Sequence, residues 1–323
     1  HLNTCGTDSV RMSCNNPYAQ QVGKKKRANL RACFGPGPGR EWWCLDAENI
    51  ELRIPAFESG QKELIELFEH PERPPFYGSK HMLHFSIVYP DLWDEAVLKV
   101  GMERAAAWIK EEYKDTWYQY AKNGGFSMQY QSVNKSDGTG TADRAFHRPG
   151  SQTKLEGRFS KATAVNKRWV DHATKHGFVE TMPDRDVDPE RGYPLLILRN
   201  EWGRAKPTTP LAYRVSGTAC WVIARAMVKV EERLVKWRSE GFDGWMVLQV
   251  HDEIVYDFPA GKGKEPWLTN LPKVRIIQRL MEGCGDRLIP RVPTPVAVSY
   301  HAVHWGEGKA ISMLKVTNEK VRS

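Results

Sequence analysis

Residues Trp245–Phe258 read WMVLQVHDEIVYDF, two apolar runs separated by His251, Asp252 and Glu253. Both runs are rich in Val, Ile and aromatic residues, as β-strands are. The short polar segment between them predicts an antiparallel hairpin whose tight turn carries the two acids. Carboxylates held in such a turn are well placed to hold a metal ion, although an isolated acidic turn is more often simply solvated. A second carboxylate and a phosphate-binding surface elsewhere in the chain would favour the metal site.

The composition is that of a globular protein with an anionic partner. The chain has 323 residues, of which 41% are hydrophobic and 27% charged, so it is long enough to bury a sizeable core. No apolar run reaches the length of about 18 residues that a membrane span needs, which predicts no membrane partner. The formal net charge of +8 favours a polyanion such as nucleic acid. The six cysteines lack metal-ligand spacing and are interpreted as reduced thiols of an intracellular protein.

The chain predicts strands near both of its ends and helices between them. Strand-like runs occupy residues 41–45, 245–258 and 295–305. Helical patterns occur at 49–54, where Pro55 is expected to stop the helix, at 61–70, 91–130, 154–176 and 272–282, and in a long helix capped by Ser216, whereas 134–152 is expected to be a loop. One sheet assembled from both ends of the chain around a helical insertion is an α+β arrangement.

Asp46 supplies the second carboxylate. It follows the strand-like run 41–45, far earlier in the chain than Asp252. If the two strands are neighbours in one sheet, the two aspartates can bridge a pair of divalent cations. Mg²⁺ suits such a site, because it binds one or two carboxylates together with waters and substrate phosphates. A two-metal site clamps the attacking and leaving oxygens of an in-line phosphoryl displacement, so the pair predicts phosphoryl transfer.

Lys122, Phe126 and Tyr130 recur at four-residue steps and form one ridge of a predicted helix. A lysine there can hold a phosphate as a point charge, and an aromatic residue one turn on can stack on a base or cover a sugar. The same spacing also fits a helix with two core aromatics and a lysine that reaches solvent. Gly124 and Gly125 favour a helix that bends or swings, because each costs about 1 kcal/mol relative to alanine inside a helix.

These segments follow the order of the motifs of family A DNA polymerases, the bacterial polymerase I type, and the chain resembles that family over nearly its whole length. Residues 45–53 (LDAENIELR) resemble motif A, the ridge from Lys122 to Tyr130 resembles motif B on the fingers helix, and residues 249–255 (QVHDEIV) resemble motif C. Motifs A and C together are highly specific, whereas motif B alone is weak. The resemblance implies an α+β fold with an antiparallel-sheet palm and a helical fingers subdomain, in a right-hand polymerase architecture lacking most or all of the thumb.

The resemblance also implies a division of the chain. Residues 1–75 are expected to form the N-terminal part of the palm with motif A, residues 76–200 the fingers with motif B, and residues 201–323 the C-terminal part of the palm with motif C. The family's thumb and exonuclease regions precede motif A, and this chain, which begins with His1, is interpreted as a fragment without them. Weak primer–template binding is therefore expected. The resemblance also implies a location in the cytoplasm of a bacterial or phage-infected cell.

Each residue that matches a motif inherits an implied role. Asp46 and Asp252, assisted by the backbone carbonyl of Ala47, would hold two Mg²⁺ ions, for which Mn²⁺ is a substitute, and Glu253 would be a neighbouring acid of lesser weight. The other implied roles are a steric gate against a ribose 2′-OH for Glu51, which pairs with Tyr130; a triphosphate contact for Lys122; a sugar contact for Phe126; a phosphate contact for His84, with His81 as its rival; and primer-end contacts for Arg11, His251 and Gln249.

The sequence therefore predicts a template-directed DNA polymerase that transfers dNTPs to the 3′-OH of primer–template DNA by a two-metal-ion mechanism and releases pyrophosphate. A single-subunit RNA polymerase is one alternative, against which the carboxylate of Glu51 argues. A catalytically impaired primer–template-binding remnant is the other, because Tyr118, Gln131, Ala212 and Ser216 depart from the family pattern. A replicative and a repair role stay equally open, and processivity or replisome partners are not revealed by the sequence.

Overall fold

The computed structural model describes residues 2–3, 12–14, 22, 30–129, 141–197 and 208–311. In chain order its strands are β1 Leu2–Asn3, β2 Ser13–Cys14, β3 Arg40–Ala47, β4 Phe178–Glu180, β5 Pro194–Leu196, β6 Trp245–Val250, β7 Glu253–Pro259, β8 Val296–His301 and β9 Lys309–Ala310. Its helices are α1 Ile50–Ser59, α2 Lys62–Glu69, α3 Lys80–Val88, α4 Pro90–Val100, α5 Met102–Glu112, α6 Trp117–Gln129, α7 Thr141–Phe146, α8 Ser151–Arg158, α9 Ser160–His176, α10 Thr208–Ser239 and α11 Trp267–Leu288. This content confirms the predicted α+β class. Among the helices described, none is both long enough and apolar enough to cross a bilayer.

The chain divides into two compact units. The first comprises His1–Ile50, Ala219–Leu288 and Thr294–Ser323, and the second comprises Glu51–Thr218 and Ile289–Pro293. The boundaries of these units fall after residues 50 and 218, whereas the division into palm and fingers at residues 75 and 200 that the resemblance implied stays a prediction. The assignment of palm and fingers to these units stays a prediction.

The first unit is built on a five-stranded antiparallel sheet with the order β6-β7-β3-β8-β9. The hairpin predicted at the start is present, with Val250 paired to Glu253 across a two-residue turn. The middle strand β3 has neighbours on both edges, and its residues Trp43, Cys44 and Leu45 are buried in succession. A strand covered on both faces reads as a continuous apolar run rather than an alternating one.

A buried carboxylate joins the sheet to α11. Glu41 in β3 is 1% exposed, and its Oε1 accepts hydrogen bonds from Trp43 Nε1 at 2.8 Å and from Asn270 Nδ2 at 2.7 Å. Its Oε2 accepts a third from the backbone N–H of Gly261 at 3.0 Å. Because buried polar groups must be paired to be tolerated, this network fixes the position of α11 relative to β3.

The helix α1 continues through Pro55 and ends at Ser59, whereas the sequence predicted that it would stop near Pro55. Proline lacks the N–H that would bond to the carbonyl four residues earlier, which here belongs to Glu51. That carbonyl instead accepts a hydrogen bond from the side-chain amide of Gln129 at 2.8 Å. The helix therefore tolerates the proline, because a side chain replaces the missing donor.

Several other helix boundaries differ from the predicted ones. Ser216 does not cap the long helix, because α10 begins at Thr208 and encloses it. The helical pattern predicted over 91–130 is divided among three helices, α4, α5 and α6. Gly101, between α4 and α5, has φ +81°, a value that a right-handed helix cannot include. The predicted loop over 134–152 contains the helix α7. The basic segment 154–176, predicted as one helix, is divided between α8 and α9. The helix predicted over 272–282 is the longer α11, which extends beyond both of these bounds.

The two glycines of α6 allow close helix packing. Gly124 and Gly125 lie on the buried side of the helix. A Cβ atom at Gly124 would lie 2.4 Å from the ring of Phe146 in α7, and one at Gly125 would lie 2.8 Å from Nδ1 of His84 in α3. Contacts of that length do not occur in proteins, so any side chain here would push the neighbouring helices away. Close packing accounts for both glycines without a bend.

Replacing Gly124 with alanine is expected to lower the free energy of unfolding of the second unit by about 1–3 kcal/mol, the usual cost of overpacking a core. Gly157 in α8 is the matched control, because no atom lies within 4 Å of the Cβ position there. Gly157→Ala is expected to be neutral or stabilising, since alanine is about 1 kcal/mol better than glycine in a helix. Urea unfolding measures both, and equal midpoints for the two variants would contradict the packing explanation.

Candidate functional site

The sheet of the first unit brings the two predicted aspartates to the same end of neighbouring strands. β3 and β7 are antiparallel partners, with Asp46 directly opposite Glu253. The backbone N–H of Ala47 donates a hydrogen bond to the carbonyl oxygen of Asp252 at 3.1 Å. The adjacency that the sequence left as inference is therefore present, and the hydrogen bond joins the segment similar to motif A to the turn of the segment similar to motif C.

The turn that carries Asp252 has a strained backbone. His251 adopts φ +58°, a left-handed conformation that is uncommon for a residue with a side chain. Such a residue costs about 1–3 kcal/mol and persists only where its surroundings hold it in place. Two of those restraints are the Ala47 hydrogen bond and the side-chain amide of Gln249, which donates to the His251 carbonyl. Gln249 is thus buried under the turn, whereas His251 is exposed at its tip.

Glu253 occupies a different environment from Asp252. Asp252 is partly exposed, whereas Glu253 is 7% exposed. The Oε1 atom of Glu253 accepts a hydrogen bond from Trp305 Nε1 at 3.1 Å and lies 3.2 Å from Arg31 Nη1. The charge of this carboxylate is therefore neutralised inside the fold. The sequence ranked Glu253 as the lesser acid, and its burial supports a structural part for it.

Asp46 and Asp252 carry the oxygen donors that a divalent cation prefers. Within the described parts of the chain, no group of three or more His, Cys, Asp or Glu side chains is arranged to hold a metal ion. The predicted donors are fewer, two carboxylates and the Ala47 carbonyl. Mg²⁺ accepts a set of this size, because it keeps several waters and takes further oxygens from substrate phosphates. The donor chemistry is thus compatible with the predicted ions.

The helix α6, which carries the segment similar to motif B, lies in the second unit and exposes the ring of Phe126 to solvent. Lys122 is half-buried and Phe126 is 36% exposed, whereas the buried side of α6 is formed by Ala121, Gly124, Gly125 and Gln129. Phe126 is therefore not the core aromatic of the alternative interpretation, and it rests against the ring of His81, with 5.4 Å between ring centroids. Tyr130, together with Arg11 and Gln131, lies outside the described residues.

His84 lies where a phosphate contact is difficult to make. It is 2% exposed and packs against the rings of Phe146 and Phe159. Burial, followed by the nearby charge of Lys80, lowers the pKa of His84 well below its ordinary value and the pKa of His81 to about 4. Both rings are therefore neutral at physiological pH, so His84 lacks the charge and the exposure that the implied role requires.

The implied steric gate is held by two side chains that the sequence did not connect to it. The carboxylate Oε1 of Glu51 accepts a hydrogen bond from the hydroxyl of Ser216 at 2.9 Å, and Gln129 binds the Glu51 carbonyl. From the sequence, Ser216 was interpreted as a helix cap and as a departure from the family pattern, and it was connected with no functional residue. Its position inside α10 makes that departure a direct partner of Glu51.

The fold is that of a polymerase domain. The POL domain of Pol1 from M. smegmatis, in a complex with DNA primer-template and dNTP, superposes with a TM-score of 0.61 and 21% sequence identity, covering 94% of this chain and 47% of that chain. At this identity the superposition shows the fold alone. No family model matches the chain.

Sequence similarity points to a particular group of polymerases. DNA polymerase I of Lactococcus lactis subsp. lactis (strain IL1403) is 25% identical over 289 residues, which cover 88% of this chain and 29% of that protein. The thermostable DNA polymerase I of Thermus aquaticus is 25% identical over 292 residues, 90% of this chain and 30% of that protein. The DNA polymerase of Mycobacterium phage D29 is 24% identical over 273 residues, 82% of this chain and 35% of that protein. These similarities confirm the resemblance to the polymerase region of family A DNA polymerases, and the chain spans about a third of the length of these relatives.

Proposed function

We propose that this chain is the catalytic region of a DNA-directed DNA polymerase, which adds dNTPs to the 3′-OH of primer–template DNA and releases pyrophosphate. The observation that carries the proposal is the Ala47–Asp252 hydrogen bond, which holds the strand of Asp46 against the strained turn of Asp252. Two carboxylates brought together by a sheet register, in a chain similar to DNA polymerase I proteins, support nucleotidyl transfer. We further assign the sheet unit to the palm and the helical unit to the fingers, in an intracellular protein.

The proposed mechanism rests on positioning and electrostatics. Asp46, Asp252 and the Ala47 carbonyl would hold two divalent ions, Mg²⁺ or in its place Mn²⁺, which when bound lower the pKa of the primer hydroxyl and offset charge on the transferring phosphoryl group. Lys122 would bind the triphosphate as a point charge, and the exposed ring of Phe126 would cover the sugar. Positioning of this kind supplies much of the rate of phosphoryl transfer, because little covalent chemistry is left to the protein.

The remaining assignments concern the primer end. The exposed imidazole of His251 at the turn tip would contact the primer terminus, and Arg11 is proposed to do so from outside the described residues. Gln249 is proposed to act there through the turn, since its amide binds the His251 carbonyl. His84 is retained only as a phosphate contact that requires α3 to expose it.

Primer extension by the purified chain tests the proposal directly. A labelled primer–template at high concentration, to offset weak binding, is incubated with dNTPs with and without Mg²⁺. Mg²⁺-dependent extension is expected. Binding of the primer–template without extension at saturating metal would replace the proposal with the primer–template-binding remnant.

The gate separates the DNA polymerase from a single-subunit RNA polymerase. Glu51→Ala is expected to improve incorporation of rNTPs relative to dNTPs by about 10- to 200-fold, the range by which one steric contact discriminates. Ser216→Ala should shift the same ratio less, because it removes only the hydroxyl that orients the Glu51 carboxylate. The measurement is kcat/KM for matched rNTPs and dNTPs.

The control for the gate is Glu66→Ala, which removes a carboxylate exposed on α2 and paired only loosely with Lys62 at 3.5 Å. This variant should keep the wild-type ratio. A wild-type chain that prefers rNTPs to dNTPs would favour the RNA polymerase. A Glu51→Ala variant that discriminates between rNTPs and dNTPs as the wild type does would show that Glu51 is not the gate.

A further inference from the structure

A buried cluster links the β6–β7 turn to two distant segments of the first unit. It consists of Arg31, Glu253 and Trp305, and we name it the Glu253 anchor. A single oxygen, Oε1 of Glu253, accepts from Trp305 Nε1 at 3.1 Å and lies 3.2 Å from Arg31 Nη1. The guanidinium carbon of Arg31 lies 3.7 Å from the centroid of the Trp305 ring. Both donors therefore converge on one carboxylate and also stack on each other.

Each donor of the anchor is itself held in place. The Nε atom of Arg31 donates to the carbonyl of Val22 at 3.0 Å. Trp305 belongs to a buried cluster with Val250 and Val255, and these two valines flank the turn on β6 and on β7. The anchor thus contacts both strands of the hairpin, immediately beside the turn. Side chains fixed by several contacts hold a neighbouring group more accurately than mobile ones do.

The turn needs such a restraint. His251 is in the left-handed region, and Asp252 lies between this strained residue and Glu253. The hydrogen bonds from Ala47 and Gln249 hold the backbone carbonyls of Asp252 and His251. The anchor holds the side chain of the next residue, Glu253, which is the first residue of β7.

We propose that Arg31 and Trp305 are positioning residues for Asp252. By holding Glu253 they keep the strained turn in the conformation that sets the Asp252 carboxylate beside the strand of Asp46. The inference rests on the proposed function, and it assigns Glu253 to the anchor and not to direct metal contact. Partners that orient metal ligands typically change metal affinity about 10- to 100-fold when removed.

Trp305→Phe and Arg31→Lys test the anchor with small changes. Phenylalanine keeps an aromatic ring in the cluster but removes the N–H that binds Glu253, and lysine keeps the charge but loses the stacked guanidinium. Mn²⁺ binding to the full chain with primer–template is measured by titration calorimetry. The Mg²⁺ concentration that gives half-maximal extension, the KM for dNTP and the thermal midpoint are measured on the same preparations.

Trp42→Phe is the matched control, because Trp42 also packs against the buried cluster of Trp305 and phenylalanine keeps a ring in that contact. The Nε1 atom of Trp42 donates a hydrogen bond to Oδ2 of Asp257 at 2.8 Å. The control substitution therefore also removes an indole N–H that binds a carboxylate of β7. Asp257 lies four residues from Glu253, about 13 Å along a strand at its usual rise. A general loss of strand stability would affect both variants alike, whereas loss of turn positioning would affect only Trp305→Phe.

The expected result is a rise of about 10-fold or more in the Mn²⁺ Kd and in the half-maximal Mg²⁺ concentration for Trp305→Phe, with the KM for dNTP unchanged. Both values should rise less for Arg31→Lys, and for Trp42→Phe they should equal those of the wild type. A Trp305→Phe variant that loses thermal stability but keeps wild-type Mn²⁺ affinity would overturn the inference. If Arg31→Lys does not fold, Trp305→Phe decides the question alone.

The experiment separates this inference from the proposed function. A wild-type chain that binds Mn²⁺ but does not extend primers contradicts the polymerase proposal, and the anchor is then judged on Mn²⁺ affinity alone. A wild-type chain that extends primers while all variants bind Mn²⁺ equally contradicts only the anchor. A wild-type chain without Mn²⁺ affinity contradicts both.

Discussion

Asp252→Ala is expected to lower primer extension by about 10²- to 10³-fold, the usual cost of removing one principal electrostatic contact to a transition state. Asp46→Ala should cause a similar loss. Each variant leaves only one of the two aspartates proposed as metal ligands, and one aspartate with the Ala47 carbonyl is too small a donor set for two cations. Primer–template binding should be largely retained, because it depends on contacts elsewhere. Single-turnover extension and a gel-shift titration measure the two properties separately.

The control is Asp243→Ala, which removes an exposed carboxylate that pairs with Arg40 at 2.6 Å, at the other end of the same hairpin. It should extend primers at the wild-type rate. The double variant Asp46→Ala/Asp252→Ala should be little worse than either single variant, because residues that act as one unit are not additive. Near wild-type extension by either single variant would remove the metal site from this location and with it the proposed mechanism.

Glu41→Ala is expected to lower the free energy of unfolding of the first unit by about 3–5 kcal/mol. The substitution removes one acceptor from three donors: the buried indole of Trp43, the N–H of Gly261, and the amide of Asn270, which keeps its bond to the Pro259 carbonyl at 2.8 Å. It also opens a cavity between β3 and α11. Urea unfolding followed by tryptophan fluorescence measures the loss.

Two variants frame this prediction. Glu41→Gln keeps one acceptor oxygen at the buried position, so it should be less destabilising than Glu41→Ala. Glu240→Ala removes an exposed carboxylate after α10 and should change stability by no more than about 0.5 kcal/mol. If Glu41→Ala unfolds at the same urea concentration as Glu240→Ala, the buried network does not hold α11 on the sheet.

The parts of this site that the sequence could predict are those with a local pattern. The hairpin was readable because two runs of β-branched and aromatic residues flank a short polar segment. Asp46 was readable because it ends a similar run. The four-residue spacing of Lys122 and Phe126 predicted that they share one face of a helix, but it did not predict whether that face is exposed.

The parts that the sequence could not predict depend on contacts between residues far apart in the chain. Nothing near Arg31 or Trp305 indicates that both meet Glu253, and nothing near Ser216 indicates that its hydroxyl reaches Glu51. The end of α1 was misjudged for the same reason, because the donor that compensates Pro55 comes from Gln129. Gly124 and Gly125 were interpreted as favouring a bend, because the sequence does not show that rings from other helices pack against them.

The central place of β3 has a consequence for how the protein is made. This strand leaves the ribosome well before both strands that pair with it, because β7 and β8 are encoded far downstream of β3. At ordinary translation speeds β3 waits about 10–40 s for β7 to be synthesised. During that time both of its edges are open to pairing with other nascent chains. Chaperone protection of this segment during synthesis, and slow refolding after denaturation, are therefore expected to accompany a sheet that is completed from both ends.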